Sequence, residues 1–274
     1  MKVILSRKGF DSSYGGCPSP ILPDGTMISM PIPDEGGNCR FDELFLPDGR
    51  TYMDVWKEFT PRGIHTETCH LDPDIRENAR KVLPFGWKPA FGQRNAAEGH
   101  LENKEVSTGD LFLFFGLFRK TRYMDGKLVF IQREKQVHAI FGWLQIGEIV
   151  RGKDVLRFSW HPHADDEHVF GKHGESGNNT IYAASDRLII DGVDAGVPGA
   201  GVFPFAEKRV LTVPGMSQVT RWKLNEVFGK VPLSYHYDPA RVKNGYFQSV
   251  AKGQEFVFDD DPRVTEWVRK LFTE

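Results

Sequence analysis

Cysteine is scarce in this chain: three residues among 274, namely Cys17, Cys39 and Cys69. The odd count, with no CxxC or CxxxC spacing, argues against a disulfide framework and against a zinc ribbon. Excess charge is missing too, since 35 Lys and Arg face 37 Asp and Glu for a net charge of -2. Without a global basic field nucleic acid is not gathered non-specifically, so any contact with it has to be a local patch. No apolar run approaches the ~18 residues that span a bilayer. Near the start only Val3-Ile4-Leu5 stands between Lys2 and Ser6-Arg7-Lys8, too short for the apolar region of a signal peptide. These absences lead to the expectation of a cytoplasmic protein. The phosphate-loop patterns GxxxxGKS/T and GxGxxG are absent, as is the GxSxG of a nucleophile elbow.

What is present is ordinary globular composition, 40% hydrophobic and 26% charged. No linker or low-complexity tract divides the chain, so one domain over residues 1–274 is expected. Residues 109–150 carry its clearest signal. Asp110-Leu111-Phe112-Leu113-Phe114-Phe115-Gly116-Leu117-Phe118 is almost continuously apolar and of strand length, as a strand covered on both faces should be. Asp125-Gly126 is a hairpin turn signal leading into strands over 127–132 and 137–150. Gly116 and Gly142, each framed by aromatics, mark a bulge, a bend or a close approach, and allow this segment to form a pocket wall. Short strand candidates follow at 155–159, 180–183, 188–191, 209–213, 246–250 and 255–258, spaced as in a barrel or sandwich. Helices are expected at 52–59, 74–82 (Asp72 as cap, Pro73 at N1), 93–101, 221–228 and after Asp261-Pro262. The fold class is therefore α+β, with a mainly antiparallel or mixed, barrel-like β core, peripheral short helices and long loops.

Four groups of residues could carry chemistry. The loop 6–16 follows a buried strand and holds Ser6, Arg7, Lys8, Asp11 and three glycines. Arginine offers a fork, lysine a point charge, and glycines let backbone amides approach an anion; a solvated turn has the same composition. His65, Cys69, His70, Asp72 and Asp74, with Gln93 and His100 further on, could supply ligands or an acid–base pair. Asp72, however, is accounted for as a helix cap, and no ligand spacing repeats. His161-Pro162-His163-Ala164-Asp165-Asp166-Glu167-His168, with His173 behind, is read as a solvated loop rather than a metal cluster. No metal site is expected. Asn179, Pro198-Gly199-Ala200-Gly201 and Ser234-Tyr235-His236 are polar or glycine-rich loops able to line a cleft. Trp143, Tyr182, Trp222, Tyr235 and Tyr246 are candidates to stack a base or to fill the core.

Several stretches together resemble the nucleotide-modification-associated domain proteins of the third type, found in bacteria and phages. They are Ser6-Arg7-Lys8-Gly9-Phe10-Asp11 with Pro18-Ser19-Pro20, Phe91-Gly92-Gln93 with His100-Leu101, and Gly109-Asp110-Leu111-Phe112-Leu113-Phe114-Phe115-Gly116. They continue with His138-Ala139-Ile140-Phe141-Gly142-Trp143-Leu144-Gln145, Asn179-Thr180-Ile181-Tyr182, Pro198-Gly199-Ala200-Gly201, Leu233-Ser234-Tyr235-His236, Gln248-Ser249 and Gln254-Glu255-Phe256. The resemblance implies a substrate class, modified nucleobases in DNA, and no catalytic residues. A shorter likeness, Gly109-Asp110 entering an apolar strand and a second strand ending in Ile146-Gly147-Glu148-Ile149, is to the barrel of PUA-like modified-base readers. Two functions from different classes follow. One is a module recognising a nucleotide, or DNA carrying modified bases, with an anion-binding N-terminal loop. The other is an enzyme that makes or removes such a modification. In that case Asp11, His70, Gln93 and His100 would work on the base or glycosidic bond, and Ser6, Arg7, Lys8, Trp143, Asn179, Tyr235 and His236 would bind. A non-enzymatic interaction protein is a third reading. The sequence names no cofactor.

Overall fold

The apolar run at 109–150 folds as two long antiparallel strands, Leu111–Met124 and Val137–Arg151, in a computed structural model of the chain. The structure describes all residues except 12, 38, 61–65, 165–177, 252, 254 and 274. The turn sits where the sequence places it: Met124 pairs with Lys127, and Asp125 and Gly126 both take positive φ, 53° and 77°. This is the backbone that a tight two-residue hairpin demands. Alternate residues of the first strand face opposite sides. Leu111, Leu113 and Phe115 enter one core with Trp222, Phe228 and Trp267, while Phe112, Phe114 and Phe118 enter another with Phe91 and Tyr182. Both faces are covered, which is why no polar residue interrupts the run.

These strands are the middle of a nine-stranded mixed sheet among the described residues. Its main path runs Glu255–Phe258, Val3–Arg7, Leu111–Met124, Val137–Arg151, Thr180–Ala184, Ala90–Gln93. Val3–Arg7 is parallel to Leu111–Met124, and the other neighbours on the path are antiparallel. The sheet does not close, which corrects the barrel-like expectation. A barrel turns one face inward, whereas here each face already packs its own core. Of the short strands that suggested a barrel, Thr180–Ala184 and Glu255–Phe258 join this sheet, while Arg187–Ile190 pairs with Val193–Pro198, and Tyr246–Gln248 with Arg221–Trp222 and Val242–Lys243, in separate small sheets.

Gly116 and Gly142 serve close packing, not a pocket wall. A Cβ at Gly116 would meet the Lys8 carbonyl oxygen at 2.6 Å, and one at Gly142 would meet Ile75 Cδ1 at 2.5 Å. The pairing also slips between Phe114 and Phe115, a bulge opposite this region.

The last helix, Pro262–Phe272, forms as its sequence directs. Asp261 accepts from the Arg263 amide, Pro262 opens the first turn, and Val264, Trp267, Val268 and Leu271 are buried. Tyr52–Phe59 is closed by a capping box of Thr51 and Asp54. Other expected elements differ. The helix at 74–82 shrinks to the 3-10 turn Glu77–Ala79, because Asp74 is drawn into a buried cluster with Arg80 (2.7 Å) and Trp87 (3.1 Å). The strand at 155–159 is part of a 3-10 helix, Gly152–Phe158. At 221–228 only the two-residue strand Arg221–Trp222 forms, with Trp222 wholly buried and its Nε1 donating to His138 Nδ1 at 3.2 Å. Among the described residues no helix is long and apolar enough to cross a membrane.

Helix Asn95–Asn103 buries Glu98 against Tyr182, whose hydroxyl lies 2.9 and 3.0 Å from the two carboxylate oxygens. Burial pushes this carboxyl up to about 7. The folded chain thus holds the proton more tightly than the unfolded chain, so the contribution of Glu98 to stability is greatest in acid and declines as pH rises towards about 7. Glu98→Gln keeps an oxygen for Tyr182 but does not ionise. It is expected to exceed the wild type in stability at pH 8 by about 2–3 kcal/mol, with the gap nearly gone at pH 4.5, measured by urea unfolding. An equal gap at both pH values would refute the burial argument.

Candidate functional site

Two strand ends and one turn build a cleft of about 580 Å³, lined by Arg7, Lys8, Gln93, His70, Asp72 and His163, with Tyr14, Asp34 and residues 94–97 at its sides. Val3–Arg7 delivers Arg7 and Lys8 at its end. The Arg7 guanidinium donates to Asp11 (3.0 Å) and to the Ala251 carbonyl (2.8 Å). Asp11 in turn accepts from the Ser13 and Tyr14 amides. Its carboxylate is therefore spent on shaping the loop and aiming Arg7.

Lys8 sits over the Phe91 ring at 4.2 Å, and its ammonium lies 3.3 Å from Glu255 Oε1. The same oxygen accepts from Ser6 Oγ (3.1 Å) and Gln93 Nε2 (2.7 Å). Glu255, 1% exposed, thus ties three of the expected site residues into one network. Gln93 Oε1 accepts from the Arg94 amide, so its side chain is fixed at both ends.

The floor of the cleft comes from residues read differently in the sequence. Asp72 is not a helix cap: its side chain is 5% exposed, and Oδ1 accepts from the Gly92 amide at 2.8 Å. His161 and His163 are not a solvated loop: both are buried, around the 3-10 turn Pro162–Ala164. His161 Nδ1 accepts from the His163 amide (3.2 Å), which leaves its Nε2 carrying the proton, 3.4 Å from Asp72 Oδ1. That distance is too long for a good hydrogen bond, and Nε2 has no other partner among the described residues; the contact is electrostatic. Asn179 fixes the second ring. Its Nδ2 donates to the His163 carbonyl at 2.7 Å, so its Oδ1 must be the atom 2.8 Å from His163 Nδ1. Nδ1 therefore carries hydrogen and Nε2 presents a lone pair, 3.9 Å from Asp72 Oδ2. Burial pushes the His163 imidazole well below its ordinary value, so it is neutral. Burial alone would raise Asp72, but the His161 contact and the Lys8 charge outweigh it and hold the carboxyl well below the usual range. His70 completes the floor, its ring 5.1 Å from that of His163 and its Nδ1 3.7 Å from Asp34 Oδ2. One donor atom each from His70, Asp72 and His163 lie within 4.8 Å of one another.

Gly92 makes this floor possible. A Cβ there would meet His163 Cγ and Cδ2 at 2.4 Å and His161 Cε1 at 2.9 Å. The edge strand Ala90–Gln93 thus contributes in three ways: Phe91 beneath Lys8, Gly92 beneath the imidazoles, and Gln93 to Glu255.

The structure brings Ser6, Arg7, Lys8, His70 and Gln93 together, with Asp11 behind Arg7 and Asn179 behind His163. The remaining expected site residues lie elsewhere. Trp143 is core, packed on Phe203 and Phe272 with Nε1 donating to the Pro198 carbonyl. His100, Tyr235 and His236 gather around Ser234: His100 Nε2 is 2.9 Å from Ser234 Oγ and its ring packs at a tilt against Tyr235, and His236 Nδ1 donates to the Ser234 carbonyl. His65, His168, His173 and Ser12, with Asp165, Asp166 and Glu167, lie outside the described residues. Of the other residues that build the cleft, Asp72 and His163 are candidates in the sequence but read there as a helix cap and a solvated loop, and Gly92 and Glu255 are not singled out, although both stand inside stretches that carry the resemblance.

The model of a family described as nucleotide modification associated domain 3 matches residues 2–259. No curated protein and no solved structure matches the chain.

Proposed function

We propose, from the premise that the chain belongs to the nucleotide modification associated domain 3 family, that the cleft binds a nucleotide or a nucleotide unit of DNA through its phosphate. The observation that carries this reading is one wall of the cleft. There the first turn of helix Asn95–Asn103, which no side chain caps, meets Arg7, Lys8 and Arg94. Unsatisfied amides at a helix start favour an anion, and guanidinium groups add forked hydrogen bonds to phosphate oxygens. Tyr14, half exposed at the side of the same cleft, offers a ring face to a base. The near-neutral net charge suits local capture of one phosphate better than a long electrostatic track along DNA.

Recognition and catalysis both begin with such binding. Catalysis, making or removing a base modification, is favoured by one feature: a neutral imidazole lone pair and an ionised carboxylate stand on the floor beside the phosphate wall. Nucleoside 5′-monophosphates are expected to bind at least tenfold more tightly than the matching nucleosides by calorimetry. Arg94→Ala and Arg7→Ala should each erase about tenfold or more of that difference, as loss of a charged hydrogen bond does. Equal affinity for nucleosides and nucleotides, or none for either, would overturn the reading. Incubation with modified and plain DNA followed by mass spectrometry then separates an enzyme from a reader.

A further inference from the structure

We propose that His70, Asp72 and His163 form a binding site for one divalent transition-metal ion on the floor of the cleft. This goes beyond the nucleotide reading and does not depend on it. The argument begins with the two hydrogen-bonded anchors. The Asn179 amide is oriented by a backbone carbonyl, which can only accept, and it therefore forces hydrogen onto His163 Nδ1. The Nε2 lone pair is thereby aimed at Asp72 Oδ2, 3.9 Å away. The other carboxylate oxygen, Oδ1, is taken by the Gly92 amide and faces the His161 Nε2 proton. Two electron-rich atoms thus converge in a largely buried place, each held there by its partner on the far side.

This is the layout of a metal site together with its outer shell. A ligating imidazole gives its second ring hydrogen to a carbonyl oxygen, here that of Asn179, and a ligating carboxylate is itself hydrogen-bonded, here by Gly92. His70 supplies the third donor from the strand Thr68–His70, within 4.8 Å of the others. An ion with bonds of ~2.1 Å spaces tetrahedral donors roughly 3.4 Å apart. The His163–Asp72 pair then draws in by about half an ångström, and the partly exposed end of His70 moves somewhat further. Two imidazoles and one carboxylate are borderline donors that suit zinc(II), iron(II) or cobalt(II). An ion there would polarise a substrate oxygen or activate a bound water beside the nucleotide. Gly92 adds an independent sign, because a strand without a side chain at that point is what lets two imidazoles pack so close to the carboxylate.

The test uses the full, untagged chain, stripped with a chelator and dialysed, without nucleotide. Cobalt(II) titration should give visible d–d absorption saturating at one equivalent, and zinc(II) should displace it. His163→Ala and His70→Ala should each lower affinity on the order of 100-fold, and Asn179→Ala, which leaves the ligands but frees the ring, by about 10–100-fold. His70 is the partly exposed member, with a side chain 21% accessible, so its variant should stay folded by circular dichroism even where His163→Ala does not. A folded wild type without saturable cobalt or zinc binding, or a His70→Ala variant that binds like the wild type, overturns the proposal. Metal binding with no nucleotide binding leaves it standing and removes only the reading of the phosphate wall.

Discussion

Glu255→Ala is expected to destabilise the protein by about 3–5 kcal/mol, the cost of breaking a buried ion pair on one side only. The carboxylate receives Ser6 Oγ, Lys8 Nζ and Gln93 Nε2 on a single oxygen. Alanine would leave the Lys8 ammonium, on a side chain 8% exposed, with the Phe91 ring face and the charge of Asp72, with which it makes no direct ion pair among the described residues. That face is worth about 0.5–2 kcal/mol and does not replace a carboxylate. Glu255→Gln keeps an acceptor for Ser6 and Gln93 but removes the charge, so it should fall between wild type and alanine. A cycle with Lys8→Met measures the pair itself. Urea unfolding should return a coupling of about 1–3 kcal/mol between Glu255→Gln and Lys8→Met, whereas strict additivity would mean that Lys8 does not lean on Glu255. The cleft should weaken with the fold, since Lys8 and Gln93 lose their common anchor.

Gly92→Ala should disable the floor of the cleft while removing no functional group. Its Cβ has no room: His163 ring atoms at 2.4 Å and a His161 ring atom at 2.9 Å stand in its place. Both rings are pinned by hydrogen bonds at Nδ1, so they yield only by breaking those bonds. Overpacking of this kind costs about 1–3 kcal/mol. The larger effect is expected on cobalt(II) binding, which should fall at least as far as in Asn179→Ala. Gly99→Ala is the control. It lies in helix Asn95–Asn103, and its Cβ would meet nothing nearer than Asn178 Nδ2 at 3.5 Å. Alanine in a helix is favoured over glycine by roughly 0.5–1 kcal/mol, so this variant should gain stability. If Gly92→Ala unfolds at the same urea concentration as the wild type and keeps metal affinity, the close-approach argument fails.

The parts of this fold that could be read in advance are those whose cause is local. The strands at 111–124 and 137–151 declare themselves because both faces are apolar, and the hairpin because Asp125-Gly126 suits positive φ. The final helix follows from Asp261, Pro262 and the spacing of its buried residues. The floor of the cleft has no such local cause. Asp72-Pro73 reads like the start of a helix, but Asp72 is claimed by Gly92 twenty positions on and by His161 far beyond. His161-Pro162-His163 has the composition of a solvated loop until the edge strand Ala90–Gln93 is laid against it. Glu255 is a lone acid before an apolar run, and its worth comes from Ser6, with which it pairs across strands. Arg7, Lys8, His70 and Gln93 stand out in the sequence as residue types, two cations, an imidazole and an amide, each able to bind a polar ligand. Trp143, singled out as an aromatic able to stack a base or fill the core, is core.

The strand Ala90–Gln93 lies at the end of the sheet's main path, where unpaired amides and carbonyls would ordinarily invite another chain. Here that border is stitched shut by the segment carrying Asp72: the Ala90 amide and carbonyl exchange hydrogen bonds with Asp74, and the Gly92 amide goes to the Asp72 side chain. One carboxylate therefore closes the last amide of this border as well as shaping the cleft. A change at Asp72 that retunes the floor uncovers the Gly92 amide, while the main-chain pair of Ala90 and Asp74 keeps the rest of the seam closed.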